Sequence, residues 1–348
     1  KISTTLTPRI IPRNLKLKGL SQVSGNAGSE ASPQESHHLM DLKRTIRLLS
    51  PLLVEGALAV RQNSNERLVE MLHELEFSTK SIKKSADKID IELQILDVDL
   101  LYRLLAGEAN KFLLASRVSH ERSIQNQPSN ASWQTIENYY AAYFGVHYLL
   151  RLTGVSVTNI DSRAVVAIDR SNYGPKPNFD IPGGLYVMAY EESSKTLTLT
   201  KNTKKSGGSH QDAWHLWEKL IDKLRHQTNT DPVEYAAISL DLAEHKRFLV
   251  RSTSKYNPPE IRGEINYQFR GGSWVFEKGA SKSVGVLQRS LITEGAPSAT
   301  LTAATPAGLI STNKFIIGLA KAVFLHASEK YPKGVCRSIS NKYKTYVQ

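Results

Sequence analysis

Cysteine is almost absent from this sequence. Among 348 residues there is one, Cys336, so the chain can form neither an intramolecular disulfide nor a cysteine-based zinc site. This composition favours a reducing compartment, and we expect a cytoplasmic protein. No apolar run approaches the ~20 residues that a membrane-spanning helix needs, so we predict no membrane association.

The motifs that mark common cofactor and catalytic sites are also missing. The sequence has neither the phosphate-binding motif GxxxxGK[ST] nor the dinucleotide-binding motif GxGxxG. The zinc-protease motif HExxH and the nucleophile motif GxSxG are absent too. The pair His37–His38 lies in a Ser/Gly-rich stretch and is interpreted as solvated rather than metal-binding. We therefore predict no metal and no cofactor.

Acidic residues are fewer than basic ones. The chain has 45 Lys+Arg against 33 Asp+Glu, a formal net charge of +12. Such a balance favours a polyanionic partner, although a solvated basic surface is the alternative interpretation. The candidate nucleic-acid-binding residues come from the clusters after residue 200 and around the double proline at 258–259: Lys201, Lys204, Lys205, Arg247, Arg251 and Arg270.

The N-terminal part of the chain divides into two segments by composition. Residues 1–38 are basic and then Ser/Gly/Ala/Pro-rich without periodicity, which predicts a disordered basic tail and linker. Residues 39–96 carry apolar residues at helical spacing in LMDLKRTIRLLS and NERLVEMLHELEF, followed by the polar patch SIKKSADKIDIE. We predict an N-terminal helical extension over 39–96.

The strongest helical patterns follow this extension. LDVDLLYRLLAGEANKFLLASRVSHE predicts a helix from about Asp97 to His120, and SWQTIENYYAAYFGVHYLLRLTG predicts a second one from Ser132 to Gly154. In the second, aromatic and aliphatic residues recur at i, i+3, i+4 and i+7, as in a deeply packed helix. The short polar loop between the two predicts an antiparallel helical hairpin.

A β-like segment interrupts the helices. VSVTNIDSRAVVAID and GLYVMAYEESSKTLTLTKNTKK are rich in Val, Thr and Tyr, and the runs 186–190 and 196–200 flank EESSK as a β-hairpin would. We predict a small β insertion over about 155–208. Helical patterns resume after it, and a basic tail with interleaved tyrosines is predicted over 331–348.

The pairing of LYRLLAGEANKFLLASRVS with IENYYAAYFGVHYLLRLTG resembles the core helical hairpin of HEPN-like domains of prokaryotic defence and toxin proteins. The similarity covers about residues 97–154. A second stretch, about 234–270, contains Arg262-Gly-Glu-Ile-Asn266-Tyr267, which is similar to an arginine-and-asparagine segment of some HEPN-like defence proteins, with glycine in the position after the arginine. The fold class that this resemblance implies is mainly α: a HEPN-like helical bundle, here over 97–330, with a small β-hairpin insertion.

The resemblance also implies candidate catalytic residues. HEPN ribonucleases use an R-x4–6-H motif without a metal, in which the histidine assists attack by the RNA 2′-OH and the arginine steadies the phosphate. The chain matches this motif at Arg67-LVEML-His73. His147, with Arg151 one turn further on, is a second candidate, and its alternative interpretation is a hydrogen-bonded core histidine. Arg262 and Asn266 complete the set.

A different nuclease chemistry is the further alternative. Glu244-x-Lys246 has the spacing of the E-x-K half of a metal-dependent nuclease site, where the carboxylate would hold Mg²⁺ and the lysine would orient water. An exposed charged helical turn explains the same residues.

These observations favour a nucleic-acid-associated prokaryotic defence or stress protein, with RNA favoured over DNA and metal-independent RNA cleavage as the possible reaction. The alternative is a non-catalytic nucleic-acid-binding or assembly subunit of a multi-protein complex. The HEPN resemblance implies a homo-oligomer or a partner protein.

Overall fold

The described part of the chain is a mixed α/β fold, so the predicted helical bundle with a small β-hairpin insertion is wrong. The computed structural model describes residues 42–125, 131–203, 208–252, 255–293 and 303–347. The predicted disordered tail over residues 1–38 lies outside these ranges.

Helices make up most of the described residues. In chain order they are α1 (42–49), α2 (Glu55–Ala59), α3 (Leu68–Met71), α4 (Val98–Ile124), α5 (Ala131–Leu152), α6 (Ser162–Arg170), α7 (Ser209–Gln227), α8 (Ala236–Leu249), α9 (Asn257–Gln268), α10 (Ala280–Ile292), α11 (Pro306–Lys330), α12 (Val335–Lys342) and α13 (Lys344–Val347).

Five strands form one antiparallel sheet in the order β1-β2-β5-β4-β3. They are β1 (Phe77–Lys84), β2 (Lys88–Ile95), β3 (Val155–Ile160), β4 (Gly184–Glu191) and β5 (Thr196–Asn202). A two-stranded pair, β6 (Val250–Ser252) with β7 (Lys255–Tyr256), links α8 to α9.

The predicted α4–α5 hairpin is confirmed. The side chain of Asp97 accepts a hydrogen bond from the Leu100 amide and caps α4 at the predicted residue. Helix α5 begins at Ala131, one residue before the predicted cap, and Gly154 follows it with a φ of 73°. The Ser116 hydroxyl donates to the Ala141 carbonyl across the two helices, so their backbones lie close together.

The predicted and the observed structure differ most in the sheet. The predicted helical extension contains β1 and β2, which pair with each other, and β2 pairs with β5 of the predicted β insertion. The apolar residues Ile89, Ile91, Leu93 and Ile95 alternate along β2 and are all buried. Asp90, Glu92 and Gln94 between them are only partly buried and give the segment its polar composition. The two predicted β segments therefore belong to one larger sheet.

The apolar residues divide into a helical core and a sheet core. Helix α5 lies at the centre of the helical core, where Tyr139 and Tyr148 pack with Trp214 of α7 and Phe324 of α11, all fully buried. The sheet core lies between one face of the sheet and the first turns of α4. Helix α4 contributes to both cores, so it joins the sheet to the helical layer.

The C-terminal half differs from the prediction in its helix boundaries. The double proline at 258–259 begins α9 instead of ending α8, consistent with proline at first-turn positions. Two short helices, α12 and α13, occupy most of the predicted basic tail. Helix α11 is long and apolar enough to cross a membrane by length and composition, but 67% of its most apolar window is buried inside the fold, as in the core helix of a globular protein.

Candidate functional site

A pocket of about 490 Å³ lies where α4 and α5 meet β3, β4 and the first residue of α7. Its size is within the range of small-ligand sites. We call it the α4–α5 pocket; it is lined by Arg67, Glu108, Lys111, Phe112, Ala115, Tyr143, Phe144, His147, Arg151, Val157, Thr158, Asn159, Leu185 and Ser209.

A buried chain of polar contacts forms the floor of this pocket. The Nε atom of Arg151 donates to the Glu108 carboxylate at 2.7 Å, and the other carboxylate oxygen accepts from the Leu68 amide at 2.9 Å. The Nη1 atom of Arg151 lies 3.0 Å from Nδ1 of His147. Glu108, His147 and Arg151 are all more than nine-tenths buried. The packing of α4 against α5 thus brings together Glu108 and Arg151, which are 43 positions apart in the sequence.

These contacts fix the tautomer of His147. A guanidinium group only donates hydrogen bonds, so Nδ1 of His147 accepts and the ring proton resides on Nε2. Burial, followed by the charges of Arg151 and His210, lowers the pKa of His147 to about 3. The ring is therefore neutral at pH 7. Its Nε2–H has no partner among the residues that the structure describes, and the side chain lines the pocket.

Aromatic rings hold the polar groups in place. The ring of Phe112 stacks on His147 with centroids 4.8 Å apart, and the Arg151 guanidinium lies 4.2 Å from the centroid of the Phe112 ring. Tyr143 contacts His147 edge to face at 4.5 Å and stacks on His210 at 4.4 Å. The aromatic residues of α5 were predicted to pack in the core. Tyr143 of this helix also contacts His147, so it contributes both to packing and to the site.

The pocket has a surplus of positive charge. Three of its lining side chains are cationic, Arg67, Lys111 and Arg151, and one is a carboxylate, Glu108. Ser209, the first residue of α7, also lines it, and no side chain caps that helix at Gly208. An uncapped helix N-terminus attracts negative charge through its free amide groups. The lining therefore suits an anionic group.

The rim of the pocket depends on a close approach of two backbone segments. The chain before α3 lies directly on α4 at Gly107, where a Cβ atom would collide with the carbonyl oxygen of Ser64. The Lys111 ammonium donates to the Asn65 carbonyl in the same segment. The close approach of the two segments brings Arg67 to the pocket. Gly107 therefore has a structural role in the middle of α4, despite the low helix propensity of glycine.

The two residues of the R-x4–6-H match do not share a site. Arg67 lines the α4–α5 pocket and forms an exposed pair with Glu70 at 3.4 Å. His73 lies 3.6 Å from Glu74 and lines a different, more open pocket of about 720 Å³ beside α6. The N-terminal helix in which the match was predicted to lie spans only Leu68–Met71 here and contains neither residue. The structure instead brings Arg67 to the same pocket as His147 and Arg151.

The remaining catalytic candidates lie on α9. Arg262 donates to the Tyr140 hydroxyl at 2.7 Å, and its guanidinium also lies over the ring of Tyr267. Asn266 is half-buried one turn further along α9. Neither residue lines the α4–α5 pocket.

The predicted nucleic-acid-binding residues are spread over the molecule. Lys201 donates to the Gly183 carbonyl and covers the Tyr186 ring on the sheet. Arg247 pairs with Glu244, and Arg251 with Glu264. Arg270 is exposed after α9. Lys204 and Lys205 lie outside the described residues.

The Glu244-x-Lys246 pair does not form a shared site. Glu244 binds Arg247 on the same helix, whereas Lys246 reaches across to Asp222 of α7 at 2.6 Å. Across the described ranges no three His, Cys, Asp or Glu side chains cluster in a way that could hold a metal ion. His37 and His38 lie outside those ranges.

Glu108, Lys111 and Phe112 are the pocket residues that sequence reasoning missed. A signal for Glu108 exists, because it continues the apolar stripe Leu101, Leu104, Leu105 on α4 at helical spacing. A carboxylate in a buried stripe requires a partner. Its partner, Arg151, comes from the other helix and could not be identified without the register.

No family model, curated protein or solved structure matches this chain.

Proposed function

We propose that this protein binds nucleic acid and that the α4–α5 pocket receives a phosphate group of the bound chain. One observation carries the proposal: a buried, neutral His147, whose Nε2–H has no partner among the described residues, lines a pocket whose cationic side chains outnumber its carboxylates three to one. Phosphate oxygens accept hydrogen bonds from such donors, and the net charge of +12 favours a polyanion.

RNA is the favoured nucleic acid in this proposal. The α4–α5 hairpin is the part of the chain that resembles HEPN-like domains, and their substrate is RNA. The same resemblance supports a role in prokaryotic defence or stress and assembly into a homo-oligomer or with a partner protein. A cytoplasmic location is part of the proposal as well.

Metal-independent RNA cleavage is the second candidate function. It is favoured by the convergence of His147 and Arg151 in one pocket, 3.0 Å apart. In the tautomer that the Arg151 contact requires, however, Nε2 already carries a proton and Nδ1 is occupied by Arg151. His147 can therefore donate a hydrogen bond to phosphate but has no free nitrogen to accept the 2′-OH proton. The geometry supports binding better than cleavage.

A binding and cleavage assay on one sample tests both candidates. Fluorescein-labelled single-stranded RNA of about 20 nucleotides is titrated with protein in EDTA at several salt concentrations, and each sample is then run on a denaturing gel. We expect intact RNA and binding that weakens with salt. The double variant Arg67→Ala/Lys111→Ala should bind more weakly and with a salt slope reduced by about 0.7 for each lost phosphate contact.

The matched control also removes one arginine and one lysine, but outside the α4–α5 pocket. Arg163, which like Arg67 is exposed and pairs with a nearby carboxylate, and the exposed Lys176 lie outside the α4–α5 pocket. Arg163→Ala/Lys176→Ala should retain the salt slope of the wild type. Equal losses in both double variants would overturn the proposed role of the pocket. Cleavage in EDTA that His147→Phe abolishes would establish the second candidate instead.

A further inference from the structure

An exposed group of aromatic rings lies at the other end of α5 from the pocket. We call it the aromatic platform; it consists of Trp133, Phe269, Trp274 and Phe276. Phe276 stacks on Trp274 with centroids 5.5 Å apart and an interplanar angle of 22°. Trp133 and Phe269 contact Trp274 edge to face at 5.8 and 5.7 Å. Phe276 is 67% exposed, Phe269 52% and Trp133 49%. Large flat apolar surfaces are therefore presented to solvent.

The backbone holds this platform in place at an energetic cost. Phe269 has a φ of 52°, a left-handed conformation that is unfavourable for a bulky side chain. The Glu277 carboxylate accepts hydrogen bonds from the amides of Gly272, Ser273 and Trp274 and so fixes the loop. The Trp274 indole donates to the Ile265 carbonyl at 2.8 Å. Phe269 is the residue at which α9 ends, so its left-handed conformation closes the helix and turns the chain into this loop.

Basic residues outnumber acidic ones in the stretch of sequence that carries most of the platform, residues 269–282. Arg270, Lys278 and Lys282 are exposed in the same part of the sequence. Glu277, the carboxylate of this loop, is already engaged by the three backbone amides. The acidic residue on the exposed side of α5, Glu137, pairs with Arg122 at 2.6 Å. A ligand that fits this surface is both planar and anionic.

One face of α5 connects the platform to the pocket. Trp133, Tyr140, Phe144, His147 and Arg151 follow one another at spacings of 7, 4, 3 and 4 residues, so they lie along one side of the helix. At a rise of 1.5 Å per residue this side is about 27 Å long. Tyr140 and Phe144 are half-buried along it.

Neighbouring helices extend the aromatic surface on both sides of this face. From α9, Arg262 contacts Tyr140 and lies 5.4 Å from the centroid of the Tyr267 ring, which is 68% exposed. From α4, Phe112 contacts Phe144 and stacks on His147. Rings and cations thus alternate from the pocket towards the platform.

We infer that single-stranded nucleic acid lies along this face of α5, with unpaired bases stacked on the aromatic platform while a phosphate occupies the pocket. The inference rests on the proposed function for the pocket end and specifies its substrate class as single-stranded. Every unpaired base has a flat face that can stack on an aromatic side chain, and exposed Arg and Lys side chains meet the phosphates between bases. A base-paired duplex does not expose those faces.

Binding of two lengths of labelled RNA tests the inference. A strand of about 20 nucleotides can reach from pocket to platform, whereas one of about four occupies the pocket alone. Phe276→Ala should weaken binding of the longer strand about five- to 100-fold and leave the shorter strand unaffected. Phe276→Leu, which keeps the apolar volume and removes the ring, should weaken it nearly as much. Tyr173→Ala removes a ring that is more exposed than Phe276, 89% against 67%, and lies away from the platform; this variant should bind as the wild type does.

Two further readouts report on stacking itself. Tryptophan fluorescence should be quenched when the longer strand binds, because Trp133 and Trp274 belong to the platform. A duplex of the same sequence should compete at least about tenfold less well than the single strand. Single-stranded DNA should compete comparably if the bases, rather than the 2′-OH groups, make the contacts at the platform.

The possible failures are distinguishable. If Phe276→Ala binds the longer strand as the wild type does, while Arg67→Ala/Lys111→Ala is impaired, the platform inference is overturned and the proposed pocket function stands. If the wild type binds neither strand at low salt, both are overturned. If Phe276→Ala changes the sedimentation of the protein alone and leaves RNA binding unchanged, the platform is an assembly surface and the inference is overturned.

Discussion

Two polar clusters of this protein contain similar groups and differ in charge balance. Between α7 and α8, Lys246 donates to Asp222 at 2.6 Å and pairs with Glu218 at 3.4 Å. The Tyr256 hydroxyl lies 2.6 Å from Glu218 and 2.7 Å from His215, which completes this α7–α8 cluster. Its two carboxylates are fully matched by donors within the protein.

The α4–α5 pocket has the opposite balance. One carboxylate, Glu108, lines it together with three cationic side chains; Arg151 pairs with Glu108, and Arg67 pairs with Glu70 outside the lining. The His147 Nε2–H has no partner among the described residues. A histidine and a basic residue lie near each other in both clusters, so this pairing does not distinguish them. The pocket differs in having a donor without a partner among the described residues, and under the proposed function an anionic ligand supplies the missing acceptor.

The two clusters should differ most in how much stability is lost when a carboxylate is removed. Glu108→Gln leaves the buried Arg151 guanidinium without a counter-charge and should lower the free energy of unfolding by about 3–5 kcal/mol. Asp222→Asn removes a carboxylate with 37% side-chain exposure and should cost about 1 kcal/mol or less. Urea denaturation followed by circular dichroism measures both. Equal costs would contradict the distinction between a buried and a solvated cluster.

The second difference concerns histidine protonation. Burial is the largest cause that lowers the pKa of His147 and of His245 to about 3, so both stay neutral in the fold while the unfolded chain binds protons below about pH 6.5. Stability should therefore fall as the pH falls from about 6.5 towards 3, by about 1.4 kcal/mol per pH unit for each histidine.

Histidine substitutions in each region check this slope. His147→Gln and His245→Gln should each reduce the dependence of the unfolding free energy on pH between about 6 and 4. His215→Gln in the α7–α8 cluster should change it less, because that side chain is half exposed. An unchanged slope in His147→Gln would show that this ring is protonated in the fold and that its assigned tautomer is wrong.

The smallest effect is expected for the rim of the pocket. Arg67 pairs with Glu70 in an exposed contact, so Arg67→Ala should change the free energy of unfolding by less than about 0.5 kcal/mol. The same variant should bind RNA more weakly under the proposed function. Thermal unfolding alongside RNA titration separates these effects. A stability loss above about 1.5 kcal/mol would make Arg67 a structural residue rather than a ligand-binding one.

Local sequence patterns predicted the helical hairpin and one β-hairpin well. The apolar period of α4 and α5, the beginning of α4 near Asp97 and the end of α5 before Gly154 depend on neighbouring residues only, and these features are confirmed. The β4–β5 hairpin was likewise predicted from the strand-like residues on both sides of EESSK. Strands β1 and β2 were missed although Ile89, Ile91 and Leu93 alternate, because charged residues on the solvent face masked the period.

The site was less predictable than the fold because its contacts are long-range. His147 and Arg151 were identified as neighbours on one helix, but Glu108 and Arg67 reach them only through the packing of α4 on α5 and of the preceding segment on Gly107. The motif match paired Arg67 with His73 across a helix that the chain does not form there. Spacing along the sequence could not reveal that Arg67 lines the same pocket as His147 instead.

The most direct test of the pocket's role is the side-chain nitrogen-15 NMR spectrum of its histidine. In protein labelled at histidine, His147 should show an unprotonated Nδ1 and a protonated Nε2 near pH 7, and the Nε2 resonance should shift when a short single-stranded RNA is added to saturation. His245, which is buried and accepts a hydrogen bond from the Trp217 indole, provides the internal reference and should not shift. A His147 resonance that stays unchanged while bound RNA is detected by anisotropy would contradict the proposal that this pocket receives the phosphate.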